Sequence, residues 1–76
     1  MKKRLDLLEI GQSAKIESIL STGIIRRRLL DMGFIKDTVV ESILKSPSGG
    51  MKAYSISGAL IALRDSDAEM IYVIDN

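Results

Sequence analysis

Three consecutive arginines, Arg26, Arg27 and Arg28, are the sharpest local concentration of charge in the 76-residue chain. Each guanidinium is a permanent cation whose planar fork of donors fits a carboxylate two bonds at a time. On a helix, three successive residues fan over roughly 200° of surface, so they cannot all turn inward. Two readings follow. One is a solvated face partly neutralised by Asp31, Asp37 and Glu41; the other is a docking face for an acidic protein surface. Nucleic acid is a weaker candidate, because 11 basic residues against 10 acidic ones leave a net charge of only +1, and Phe34, Tyr54 and Tyr72 are the only rings for stacking bases.

The remaining candidates are weaker still. Asp65, Asp67 and Glu69 alternate as oxygen ligands might, but lack the fixed spacing and turn glycine of a calcium loop, and read as a capped turn entering a strand. With 0 cysteines and 0 histidines, the chain has no disulfide, no thiolate or imidazole ligand and no histidine base, so a tight transition-metal site and catalysis are not expected. Pro47, Ser48, Gly49 and Gly50 lie between two strand-like segments, which suits a flexible hairpin loop and not a phosphate-cradling turn. Three aromatics are too few for the groove that proline-rich peptides require.

The elements that must hold these residues are short. Ser13 to Leu20 alternates, with Ala14, Ile16, Ser18 and Leu20 assigned to the core face, and is read as the first strand. Ser21 or Thr22 offers a hydroxyl N-cap for a helix from about Gly23 to Met32, whose Ile25, Leu29 and Met32 share one face. Gly33 suits the left-handed position past the helix end, and Phe34 can fold back on Leu29 or Leu30. Arg27 and Asp31 stand four apart and are placed to pair. Thr38 to Lys45 is the next strand; residues 51 to 57 and Ala59 to Leu63 form a hairpin about Ser57 and Gly58; Glu69 to Ile74 is the last, with Ile71 and Val73 inward. Leu5, Leu7, Leu8 and Ile10, ahead of Gly11, suggest a helical turn closing one end of the core.

Five short strands and one helix in residues 1–76 imply a single all-β domain, a small SH3-like antiparallel barrel, because a sheet this small buries a face only by curling on itself. An oligonucleotide-binding barrel is the alternative. A hydrophobic fraction of 46% is enough for one packed core, and no apolar run approaches the length of a membrane span, so a cytosolic location is expected.

The string Arg27-Arg28-Leu29-Leu30-Asp31-Met32-Gly33-Phe34, followed by Thr38 and Val40, resembles the signature of the FeoA family. Tyr54, Ile56, Gly58, Ile61-Ala62-Leu63-Arg64, Asp67-Ala68, Ile71 and Val73, with Leu7, Ile10 and Gly11 at the start, extend that resemblance over nearly the whole chain. Asp37 stands where the family often has glycine, and Pro47-Ser48-Gly49-Gly50-Met51 replaces a P-x-G-D-P loop. The resemblance implies an SH3-like fold and a cytosolic, non-catalytic accessory of ferrous iron uptake, engaging the GTP-binding domain of an FeoB-type membrane permease. A similar domain ends some iron-dependent repressors; with no DNA-binding helix pair ahead of it, this chain is expected to serve transport. The expected contact surface is Arg26, Arg27 and Arg28 together with an apolar patch of Leu30, Met51 and Tyr54, residues left over once each core face is assigned.

Overall fold

A computed structural model describes residues 1–75. Strand β1 is Lys2–Arg4, followed by a 3-10 turn at Leu5–Leu7; then come β2 (Ser13–Ile19), α1 (Gly23–Asp31), β3 (Val39–Lys45), β4 (Met51–Ile56), β5 (Ala59–Arg64), α2 (Asp65–Ala68) and β6 (Ile71–Asp75). The six strands form one antiparallel sheet in the order β1-β6-β2-β3-β4-β5. Lys2–Arg4 is the strand that sequence reading missed, because three charged residues have no strand pattern and gain one only by pairing with Tyr72 to Ile74 of β6.

The core is a single cluster. Tyr54, Phe34, Leu5, Ile16, Leu29, Ile56, Ile71, Val40 and Val73 are its largest fully buried apolar members, and Leu8 from the end of the 3-10 turn joins them. The expected helical turn near the start is therefore present and closes the core through Leu5 and Leu8.

Alternation along β2 holds only as far as Ile16. Its register against β6 shifts between Ile16 and Ser18, making Glu17 the extra residue of a bulge. One inserted residue reverses every later side chain, so Ile19 packs on the core while Leu20, expected inside, is 52% exposed.

Helix α1 ends as its residues dictate. The Gly33 N–H donates to the Leu30 carbonyl at 3.1 Å and the Phe34 N–H to that of Leu29 at 3.0 Å, with Gly33 at φ +106°. This pair of bonds is a Schellman closure, and it brings Phe34 and Leu29 into the same core. The start differs from expectation: Thr22 is the N-cap residue but makes no side-chain cap bond. Instead the Arg26 guanidinium donates from Nη1 to the Ile19 carbonyl at 2.8 Å and ties the first turn to the end of β2. Beyond the helix, Asp37 takes φ +73°, supplying the left-handed residue that a glycine would otherwise provide. Ser57 and Gly58, at φ +51° and +80°, make the tight turn of the β4–β5 hairpin and set Ile56 opposite Ala59.

Candidate functional site

Of the helix residues expected inside, only Leu29 is fully buried; Met32 packs against the core from its rim, and Ile25 remains 39% exposed. Ile25 faces a cleft of about 270 Å³ between α1 and the far end of the β4–β5 hairpin. Ile25, Leu29, Met32, Met51, Ala62 and Leu63 give the cleft its apolar lining, and Arg28, Arg64 and Asp67 supply its charge. The local reasons are clear. A two-residue turn fixes Met51 opposite Arg64, so both side chains reach the same wall. Helix α2 follows directly and carries Asp67 to that wall.

The structure divides the surface expected from sequence. Arg28 and Met51 meet in this cleft, whereas Arg26, Arg27 and Leu30 line a separate shallow depression with Gly23 and Asp31. All three arginines are exposed, and among the described residues no ion pair forms to any of them, including the expected pair of Arg27 with Asp31. Tyr54 does not belong to the surface at all. It is 0% exposed, because it shares the inward face of β4 with Ile56, two residues on. A contact surface containing Tyr54 is thereby corrected; Arg64, Asp67 and Ile25, which sequence reading did not single out, are what lie beside Met51. The hairpin turn signalled Arg64, since the register it sets runs directly from Ser57 and Gly58 to Met51 and Arg64.

Tyr54 is instead a polar weak point of the core. Its hydroxyl is buried without a hydrogen-bond partner, as is that of Ser42, its cross-strand neighbour. Burial, reinforced by the negative charges of Asp65 and Asp6, pushes the Tyr54 phenol well above its ordinary 10.0. An orphaned buried hydroxyl costs about 1–3 kcal/mol. Tyr54→Phe is therefore expected to be neutral or to stabilise by up to about 1 kcal/mol in urea unfolding; a loss beyond about 1 kcal/mol would show that the hydroxyl is bonded after all. Because the folded state holds this proton more tightly than the unfolded chain, stability falls as pH rises through the ordinary phenol value, and Tyr54→Phe removes that part of the slope.

Outside the cleft, a polar tie joins the 3-10 turn to the sheet. Lys52 Nζ donates to the Asp6 carbonyl at 3.0 Å and to Asp65 Oδ1 at 3.4 Å, joining the 3-10 turn, β4 and α2. Arg4 grips the Asp6 carboxylate through two donors at 3.0 and 2.9 Å. Asp65 is thus occupied by Lys52 and Asp67 by the cleft, and among the described residues no three acidic side chains gather as a metal site.

A six-stranded antiparallel sheet wrapped about one core, with a short helix across its end, places the chain among SH3-like barrels. The FeoA domain model matches residues 3–75, and the chain belongs to the FeoA family. The FeoA-like protein of Clostridium acetobutylicum is 30% identical, with a TM-score of 0.87 over 97% of this chain and 86% of its own. FeoA of Stenotrophomonas maltophilia, solved in complex with zinc and described as a prokaryotic SH3 domain protein, is also 30% identical, with a TM-score of 0.84 over 95% of this chain and 89% of that one. FeoA of Chlorobium tepidum is 28% identical, with a TM-score of 0.88 over 93% and 68%. A manganese-dependent transcriptional repressor, at 18% identity, has a TM-score of 0.89 over 99% of this chain but 42% of its own, and shares the fold alone. No curated protein sequence matches the chain. The family is associated with ferrous iron transport.

Proposed function

We propose that this chain is a non-catalytic, cytosolic accessory of ferrous iron uptake, acting as one domain that binds the cytosolic part of an FeoB-type permease. The observation that carries the reading is the row of Arg26, Arg27 and Arg28, exposed and without ion-pair partners, beside a cleft with an apolar lining. Interfaces of this kind set arginine and a buried apolar anchor against an acidic partner. The relative from Stenotrophomonas maltophilia, considered as a ferrous iron transport activating factor, supports the same direction.

Calorimetric titration of the chain into the isolated cytosolic domain of such a permease tests the reading. Saturable binding that weakens as salt rises from about 0.05 to about 0.5 M is expected, because exposed charges are screened over that range. No binding at any salt concentration would contradict it, and so would binding only to DNA or RNA.

A further inference from the structure

The two edges of the sheet are unlike. Edge strand β1 has three residues, Lys2, Lys3 and Arg4, and such short, charged edges resist pairing with other chains. Edge strand β5 has six, running Ala59, Leu60, Ile61, Ala62, Leu63 and Arg64, with neither a proline nor a charge before its end. Nothing in that composition blunts it.

The hairpin fixes which backbone groups are free. A two-residue turn makes Ile56 and Ala59 a bonded pair, so Ala59, Ile61 and Leu63 direct their N–H and C=O toward β4. Leu60, Ala62 and Arg64 direct theirs away from it. All three are exposed, and among the described residues no hydrogen bond engages their outward N–H groups or the outward carbonyls of Leu60 and Ala62, while the Arg64 carbonyl stands at the N-cap of α2. Ala62, Leu63 and Arg64 also line the cleft, so the second half of this free edge opens onto Arg28 and Met51.

The geometry points to β5 as the site where an extended, acidic segment of a partner protein adds as a seventh strand. Side chains of the incoming strand alternate between faces. Those opposite Ile61 and Leu63 would be apolar, since these two residues pack on or in the core. Those opposite Arg64 would be carboxylates, which Arg28 would also attract across the cleft. Charge favours such a partner over a second copy of this chain, because β5 carries Arg64 and no acid to offer in return. The inference shares its cleft with the permease reading and rests on it only there, so its test uses no permease.

The probe is a short blocked peptide alternating valine and glutamate, with a control in which lysine replaces glutamate. Amide hydrogen exchange of the chain is followed by NMR as the peptide is added. The outward amides of Leu60, Ala62 and Arg64 are expected to slow by about tenfold or more at saturation, while amides on β1 do not change. Ala62→Pro removes one outward donor and leaves the bonds to β4 intact, because proline is tolerated on a free edge; it is expected to abolish binding. Ala62→Val keeps the donor and is expected to bind. Exchange unchanged by the glutamate peptide, equal response to the lysine peptide, or binding retained by a folded Ala62→Pro variant would each overturn the proposal. Protection of the same amides that rises with protein concentration alone would overturn it in favour of self-pairing.

Discussion

Leu29→Ala is expected to cost about 2–5 kcal/mol of stability, a large share of the about 5–15 kcal/mol that holds most small folds together. Leu29 is 2% exposed, packs in the core beside Phe34 and sits at the helix position whose carbonyl accepts the Schellman bond. Truncation leaves a cavity bounded by the helix on one side and the sheet on the other, and neither can collapse freely into it. Leu30, the next residue, is 37% exposed, and Leu30→Ala is expected to cost only about 1 kcal/mol. Urea unfolding of the two variants therefore separates neighbouring leucines of one helix. Equal losses would mean that α1 is rotated relative to the core from the placement described.

The second large effect is on binding. Reversing charge at both Arg27 and Arg28 is expected to weaken association with the permease domain by tenfold or more, since arginines in a desolvated contact commonly carry over 1 kcal/mol each. The fold should not suffer. Both side chains are exposed and neither makes an ion pair among the described residues, so the fold loses no partnered contact. Arg26 is left out of the pair because its bond to the Ile19 carbonyl anchors the helix, so changing it would confound binding with stability. Unchanged affinity in a folded Arg27→Glu/Arg28→Glu variant would remove the helix from the contact.

Local chemistry was legible in the sequence wherever one short stretch decides the outcome. Gly33 and Phe34 announce the helix closure, and Ser57 and Gly58 announce the hairpin, because each motif needs only its own residues. What depends on pairing was not legible. The bulge at Glu17 arises from how β2 meets β6, and Lys2–Arg4 becomes a strand only because β6 receives it. The candidate site shows the same division. Arg28 and Met51, both in the surface expected from sequence, share a cleft, whereas Asp67 reaches it only through the placement of α2, a tertiary fact. Tyr54 departs from the expected surface because its alternation with Ile56 turns it inward, and its polar tip does not bring it out.

The most direct measurement is an NMR titration of the isotope-labelled chain with the isolated cytosolic GTP-binding domain of an FeoB-type permease from the same cell, with and without nucleotide. Shift changes concentrated on α1, Met51 and Ala62 to Arg64 are the predicted result, and dependence on nucleotide would place the contact near the partner's switch. Shifts confined to β1 and the 3-10 turn, or none at millimolar partner, would contradict the arginine helix and its cleft as the binding surface.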